Sequence, residues 1–142
     1  MIMEYKIDNY EPLFKASNVE IGLDSKHQIL ICRWIGLQDE APLKQTGEII
    51  RNFLKEHKCS KILNDNIDVL GSWYHSTDWT AKIWFPSMIE AGLKHFAWVC
   101  SKDLFAQLSA KRALPPGNVA RAFATFEEGY AWLLKLNDEN GK

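Results

Sequence analysis

The sequence has no excess of either charge. There are 17 lysines and arginines against 18 aspartates and glutamates, which gives a formal net charge of −1 at pH 7. The basic residues are dispersed among acidic ones, whereas nucleic-acid-binding proteins usually carry a basic face or stripe. The composition therefore argues against a nucleic-acid partner.

Long apolar runs are also missing. A helix that crosses a bilayer needs about 20 predominantly apolar residues, and no stretch of this chain is that long. The opening residues, MIMEYKIDNYEP, contain acidic side chains and lack the apolar segment of a secretion signal. We therefore expect neither secretion nor integral membrane association.

Cysteine is scarce, and its spacing is not that of a metal site. The three cysteines are Cys32, Cys59 and Cys100, and no close pair of cysteines or histidines provides structural zinc ligands. Cys32 and Cys100 lie in apolar segments, where a free cysteine behaves as a small hydrophobic residue. This usage fits a reduced, cytoplasmic setting. We predict no metal and no other cofactor.

Catalytic motifs are absent as well. There is no G-x-S-x-G, no H-E-x-x-H and no glycine-rich loop that would hold phosphate. His75, oriented by Asp65 or Asp78, is one candidate for catalysis, and Cys100 at a strand end is another. The His–Asp pair lacks an identifiable nucleophile and Cys100 lacks an identifiable base, so the sequence predicts a protein that is not an enzyme.

What the sequence does contain is the composition and length of one globular domain. Apolar residues make up 46% of the 142 positions and charged residues 25%, and this length is enough for a single hydrophobic core. We predict one α/β domain over residues 1–142. Its core would span about residues 19–136, and residues 137–142 would form a polar tail.

Alternating strand and helix patterns predict the order β-β-α-β-α-β-α-β-α. A hairpin over residues 19–35 is followed by a helix with Asp39 as its N-cap and Pro42 in its first turn. The short strand KILND precedes a second helix, ended by Gly92 and interrupted by Pro86. A strand over residues 95–100, a helix begun by Ser101 and Asp103, a strand over residues 118–126 and a helix opened by Thr125 and Glu128 complete the chain. The predicted fold is one mixed sheet of about five strands with helices on both faces.

Three segments resemble a known family. They are ILND at a strand end, the aromatic-rich segment WTAKIWFPSMIEAGLKHFAWV, and a closing pattern of Phe126, Ala131, Trp132 and Leu133. With the element order, they resemble the STAS domain (sulfate transporter and anti-sigma factor antagonist), and more closely the small bacterial STAS-like proteins. The resemblance covers about residues 19–136. It implies a STAS-like mixed sheet and a regulatory role.

The usual phosphorylation motif of that family is not present. Regulatory STAS proteins carry a phosphorylatable hydroxyl in an Asp-Ser-Ser/Thr-Gly pattern at a helix start, where a phosphate acts as a switch. The corresponding region here, NDNIDVLGSWYHSTDW, lacks the tetrapeptide. Ser76 and Thr77 are the candidate phosphoacceptors if the switch persists in altered form.

The segment from residue 64 to residue 79 is the candidate binding site. It follows a predicted parallel strand, and ligands of open α/β sheets bind beyond the carboxyl ends of such strands. The predicted binding residues are Asn64, Asp65, Trp73, His75 and Trp79. Asn and Asp also form turns by bonding to their own backbone, and tryptophans more often pack in a core. Both alternatives stay open.

Two functions fit these features. The first is a non-enzymatic regulatory module that binds a protein partner or a second copy of itself as a homodimer, with Trp73 exposed at the interface. The second is a carrier of a small apolar ligand or lipid in a pocket walled by tryptophan. A flat, exposed aromatic patch would favour the first function, and a deep apolar pocket beside Trp73 and Trp79 would favour the second.

Overall fold

One mixed sheet organises the molecule. The computed structural model describes residues 7–140, with side chains described through residue 136. Six strands lie in chain order across the sheet. They are β1 (Tyr10–Ala16), β2 (Val19–Asp24), β3 (Ile29–Gly36), β4 (Lys61–Val69), β5 (His95–Val99) and β6 (Ala120–Phe123). Strands β1, β2 and β3 are antiparallel, whereas β3, β4, β5 and β6 are parallel. The predicted α/β mixed sheet is confirmed.

Within the described residues, four helical segments cover the sheet. They are α1 (Glu40–Glu56), α2 (residues 74–90), α3 (Leu104–Ala113) and α4 (Phe126–Asn140). Helices α1, α2 and α3 pack on one face, in a core built around Leu30, Ile62 and Phe96. Helix α4 packs on the other face, against Leu63 and Ala97. The crossovers through α1, α2 and α3 have the same hand, so these three helices lie on the same face of the sheet. Helix α4 follows the last strand and covers the opposite face.

The strand count differs from the prediction because β1 was missed. Its sequence, YEPLFKA, contains Pro12 and has no fully buried residue, so it lacks the pattern of an interior strand. Proline is tolerated here because β1 is an edge strand, and the register shifts between Pro12 and Phe14. The Tyr10 ring lies over Gly22 of β2, where an added Cβ would be 2.0 Å from the ring. Gly22 thus admits the aromatic ring that holds β1 in place.

The helix starts predicted at Asp39, Asp103 and Thr125 are confirmed in position but differ in how they are capped. Asp103 caps α3 by accepting from the backbone N–H of Phe105 at 2.9 Å and of Ala106 at 3.1 Å. The Thr125 hydroxyl accepts from the backbone N–H of Glu128 at 3.1 Å. Asp39 precedes α1 with extended backbone, but its side chain makes no capping hydrogen bond. The N-cap position of Asp39 was therefore right, and the expected capping contact was wrong.

Helix α2 is irregular, as Pro86 predicts. It comprises a 3₁₀ turn (Tyr74–Ser76), a short α turn (Thr77–Trp79), a π-helical segment (Thr80–Trp84) and an α-helix (Phe85–Glu90). Proline cannot donate the hydrogen bond that a regular helix needs at that position. A widened turn just before the proline accommodates this loss without ending the helix. Gly92 follows with φ of +120°, as expected of a C-terminal stop.

The other boundary corrections concern β4, β6 and the tail. Strand β4 continues to Val69, beyond the predicted KILND, and β6 is shorter than the predicted residues 118–126. The chain predicted as a polar tail from residue 137 continues α4 to Asn140, and residues 141 and 142 lie outside the described range. Within residues 7–140, no helix combines the length and apolar character needed to cross a membrane.

Candidate functional site, a tryptophan-lined cavity

The carboxyl ends of β3, β4 and β5 create the site. Register pairs Cys32 with Asn64 and Asn64 with Trp98, so these three residues lie side by side across the sheet. Side chains alternate along a strand. Trp34, Asn64, Asn66 and Trp98 therefore project to the face that α1, α2 and α3 cover. A cavity lies between these side chains and the helices.

Tryptophan forms most of the wall of this cavity. Five of the six tryptophans in the chain line it: Trp34, Trp73, Trp79, Trp84 and Trp98. The volume is about 50 Å³. One water needs about 10–15 Å³, whereas pockets for drug-sized ligands measure about 300–1,000 Å³. The cavity therefore has room for a compact molecule only. None of its lining residues is ionisable.

Helices α1 and α2 approach each other unusually closely beside the cavity. The Trp84 indole Nε1 donates to the backbone oxygen of Gly47 at 2.8 Å. A Cβ at position 47 would lie 2.8 Å from the Trp79 ring and 2.9 Å from Trp84 Nε1. Glycine lowers the helix propensity of α1, but it allows both tryptophans to approach the helix backbone. The sequence alone gives no sign of this close approach.

A hydrogen-bond chain fixes the two asparagines of β4. The Trp34 indole Nε1 donates to Asn64 Oδ1 at 2.8 Å, and Asn64 Nδ2 donates to Asn66 Oδ1 at 3.0 Å. An indole nitrogen can only donate, so the oxygen of Asn64 must face Trp34 and its nitrogen must face Asn66. The oxygen of Asn66 is then the acceptor. Its amide nitrogen makes no hydrogen bond with any residue that the structure describes.

Two indole donors at the cavity are also unpartnered. Nε1 of Trp73 and Nε1 of Trp98 are buried, and neither has an acceptor in the described part of the chain. The two rings stack with centroids 6.1 Å apart and an angle of 19° between their planes. A buried donor without a partner costs about 1–3 kcal/mol. Two such donors on neighbouring tryptophans are therefore an unusual feature that calls for an explanation.

Two serines hold the loop that carries Trp73, one in α3 and one directly after β5. Ser109 Oγ accepts from the backbone N–H of Trp73 at 3.0 Å. The Ser101 hydroxyl donates to the backbone oxygen of Val69 at 2.7 Å. These contacts place Trp73 inside the molecule with 5% of its surface exposed. The expectation of an exposed Trp73 was therefore wrong, because serines on distant segments fold its loop inward.

The cavity gathers three of the five predicted binding residues. Asn64, Trp73 and Trp79 line it, whereas Asp65 and His75 do not. Asp65 lies on the opposite face of β4, and its Oδ1 accepts from the backbone N–H of Ile67 at 3.0 Å. The strand is irregular there, since Arg33 pairs with Asp65 but Ile35 pairs with Asp68. Asp65 thus makes the local turn contact that was the alternative to ligand binding.

His75 has a structural arrangement outside the cavity. Its Nε2 is 2.9 Å from the backbone oxygen of Gln38, and its Nδ1 is 2.7 Å from the Ser76 hydroxyl. Because a carbonyl only accepts, Nε2 carries the proton and Nδ1 accepts from Ser76 in the neutral ring. The ring therefore joins the start of α2 to the loop before α1. Both nitrogens are occupied, and neither is bonded to Asp65 or Asp78.

The candidate phosphoacceptors are both buried. Ser76 and Thr77 have 0% and 1% of their surface exposed. The Thr77 hydroxyl donates to the backbone oxygen of Tyr74 at 3.1 Å, and that of Ser76 faces His75. A kinase could reach neither hydroxyl without opening the start of α2.

The three thiols are not activated, because the pKa of each is raised. Burial raises the pKa of the Cys100 thiol, which lowers the fraction of reactive thiolate. Cys32, Cys59 and Cys100 are all free. No group of three or more His, Cys, Asp and Glu side chains in the described range is arranged to hold a metal ion.

Sequence reasoning missed the residues that complete the cavity. Trp34, Trp84, Trp98 and Asn66 were not among the predicted binding residues. The signal was present in part, because strand alternation places Trp34, Asn64 and Trp98 on one face of adjacent strands. Detecting it required the register between the strands, which spacing along the chain does not give.

A second feature is an apolar surface on α3. Leu104, Phe105 and Leu108 are exposed by 62%, 62% and 50%. Beside them, a shallow groove separates α3 from β6 and is lined by Leu114 and Phe123 among others. Strand β6 pairs only with β5 among the described residues, so its outer edge adjoins this apolar surface.

The fold and the cavity together define a class: an α/β protein with a small, uncharged, tryptophan-lined cavity at the carboxyl ends of parallel strands. Comparison with protein-family models, with curated proteins and with solved structures gives no match to this chain.

Proposed function

We propose that this protein is a non-enzymatic module that binds a small, mostly apolar ligand in the tryptophan-lined cavity. The single observation that carries the proposal is the convergence of Trp34, Trp73, Trp79, Trp84 and Trp98 on one cavity. Small-molecule sites are typically concave and apolar, with a few placed polar groups. This cavity has those properties, and it lies where open α/β sheets bind their ligands.

We rank the ligand carrier above the partner interface, which was the first function that the sequence suggested. The partner interface was expected at residues 64–79 and depended on exposed tryptophans. Trp73 is buried. Trp79 is partly buried and lines the cavity, and Lys44 Nζ lies 5.7 Å from the centroid of its ring. These positions favour a ligand carrier over a flat interface at that segment.

Two finer assignments belong to the same proposal. The element order and the ILND strand end support a STAS-like identity, in which the cavity replaces the missing phosphorylation motif as the regulated site. Three unpaired cysteines support a reducing location such as the cytoplasm.

Native mass spectrometry of protein purified from its own host tests the ligand proposal. We expect wild-type protein to retain a small bound mass. Leu43 lines the cavity, so the larger side chain of Leu43→Phe should fill it and abolish the bound mass. Trp132→Phe, at a tryptophan outside the cavity, is the control that should retain it. Circular dichroism establishes that each variant folds. Apo protein in every preparation, with no shift by any small apolar compound, would refute the proposal.

A second candidate function is self-association through the apolar surface of α3. Leu104, Phe105 and Leu108 are exposed beside the edge of β6 that pairs with no strand within residues 7–140. A twofold contact between two copies would bury this surface against itself and could pair the two β6 edges. The formal net charge of −1 opposes such a contact only weakly. This candidate retains the homodimer expected from the sequence but moves it away from residues 64–79.

A further inference from the structure

Hydrogen-bond donors and acceptors are unequally used around the tryptophan-lined cavity. The indole nitrogens of Trp73 and Trp98 and the amide nitrogen of Asn66 have no acceptor in the described part of the chain. The lining side-chain oxygens, in contrast, already take part in hydrogen bonds. Asn64 Oδ1 accepts from Trp34, and the Thr80 hydroxyl donates to the backbone oxygen of Ser76 at 2.8 Å. The cavity therefore offers donors and needs an acceptor.

The hydrogen bonds distinguish the side-chain oxygen of Asn66 from its side-chain nitrogen. Trp34 can only donate, which fixes Asn64, and Asn64 in turn fixes Asn66 with its oxygen toward Asn64. The NH₂ group of Asn66 is left for another partner. A ligand oxygen in the cavity can accept from this NH₂ group and from the indole N–H groups of Trp73 and Trp98, which also line the cavity.

The lining also sets the charge of the ligand. No lysine, arginine, histidine, aspartate or glutamate lines the cavity. Transferring a charged group from water into an apolar site is costly unless an opposite charge or a full set of hydrogen bonds compensates. A carboxylate or an ammonium group would find no counter-ion here. A neutral carbonyl oxygen needs only the donors that are present.

We infer that the ligand is a compact, uncharged molecule whose apolar body contacts the indole rings and whose carbonyl-type oxygen accepts hydrogen bonds from Asn66, Trp73 and Trp98. This inference rests on the proposed function, because it names the class of ligand for the same cavity. It excludes pure hydrocarbons as the best ligands, and it also excludes carboxylates and amines of the same size.

Matched pairs of small molecules test the inference on the wild-type chain. Each pair has one shape, with a carbonyl oxygen in one member and a methylene group in the other: cyclopentanone with methylenecyclopentane, and cyclohexanone with methylenecyclohexane. Acetone and isobutene extend the series to a smaller size. Cyclohexanecarboxylate and cyclohexylammonium test the effect of charge. Binding is followed in ¹H–¹⁵N spectra, in which each tryptophan gives its own indole N–H signal.

We expect one ketone to bind at least about tenfold more tightly than its hydrocarbon counterpart, the factor that one or two net hydrogen bonds supply. The indole signals of Trp73 and Trp98 should move downfield. Those of Trp84, bonded to Gly47, and of Trp132, outside the cavity, serve as internal controls and should move less. Equal binding within each pair, or tighter binding of either charged compound, would overturn the ligand class and leave the proposed function standing. Binding by no member of the series would overturn both.

A near-isosteric variant isolates the contribution of Asn66. In Asn66→Asp the side-chain oxygen can still accept from Asn64, but the free donor is replaced by a second oxygen that repels a carbonyl. We expect the affinity for the best ketone to fall at least about tenfold. Asn52→Asp makes the same change at an exposed position of α1 and should leave the affinity unchanged. An unaltered affinity in folded Asn66→Asp would contradict the role of Asn66. If that variant does not fold, the wild-type series still decides the inference.

Discussion

At the scale of single residues, burial changes the acid–base behaviour of several side chains. Burial raises the pKa of Cys59 from 9.0 to about 11. It also raises the pKa of Tyr10 from 10.0 to about 12, with Cys32 and Glu20 adding to the effect. The pKa values of Cys32 and Tyr130 are raised in the same direction. In each case the folded chain holds its proton more tightly than the unfolded chain does.

These shifts predict that the protein loses stability in alkaline solution. A raised folded-state pKa contributes stability that is complete below the unfolded pKa and is lost as pH rises through the folded value. We expect the urea midpoint to be constant up to about pH 8.5 and to fall between pH 9 and about pH 12. Cys59→Ala should make the decline between pH 9 and about pH 11 shallower. A midpoint that stays constant up to pH 11 would contradict the prediction.

At the scale of elements, the contact between α1 and α2 decides the shape of the cavity. Gly47 lets Trp79 and Trp84 approach the backbone of α1, and the π-helical segment Thr80–Trp84 accommodates Pro86. Helix propensity alone would favour alanine over glycine at position 47 by about 1 kcal/mol. Tertiary packing therefore overrides the local preference at this position.

Gly47→Ala should destabilise the protein even though it improves helix propensity. The new Cβ would meet two buried tryptophans, and overpacking of this kind costs about 1–3 kcal/mol. We expect a lower free energy of unfolding in urea and weaker binding of any cavity ligand. Gly129→Ala in α4 is the matched control, because its Cβ would lie 3.4 Å from Ala97 and Val99, in ordinary contact. It should be neutral or stabilising by up to about 1 kcal/mol. Equal effects of the two changes would show that Gly47 has no special packing role.

At the scale of the whole molecule, the apolar surface of α3 and the outer edge of β6 predict the oligomeric state. Light scattering with size exclusion should report a dimer at micromolar concentration, because burying Leu104, Phe105 and Leu108 gains hydrophobic free energy. Leu108→Glu should give a monomer. Ile89→Glu makes the same change at an exposed apolar residue of α2 and should remain dimeric. A wild-type chain that stays monomeric at all concentrations would remove this candidate function.

Much of the fold could be predicted from the sequence, because local signals specify its elements. The hairpin turn, the Asp103 cap, the Thr125 hydrogen bond and the Gly92 stop each depend on residues close in sequence. Strand β1 could not be predicted in the same way. It is held by pairing with β2 and by the Tyr10 ring over Gly22, and neither contact has a sequence pattern of its own.

The candidate site was predicted in position but not in composition. Asn64, Trp73 and Trp79 were identified because polar and aromatic residues follow a strand end. Asp65 and His75 were assigned to binding on the same ground, yet each is satisfied by contacts elsewhere. Side chains alternate along a strand, so Asp65 lies on the face opposite to Asn64, and His75 lies in the turn after the strand. Closeness in sequence therefore did not indicate which side chains meet at the cavity.

The sequence alone specifies the type and order of most elements, a net charge close to zero and the strand end beside which the cavity lies. These properties follow from composition, periodicity and capping, which act over a few residues. Only the tertiary structure decided that Trp34, Trp84 and Trp98 join Trp73 and Trp79 around one cavity. Their convergence depends on strand register and on the approach of α2 to Gly47, and both are set by packing between residues far apart in the chain.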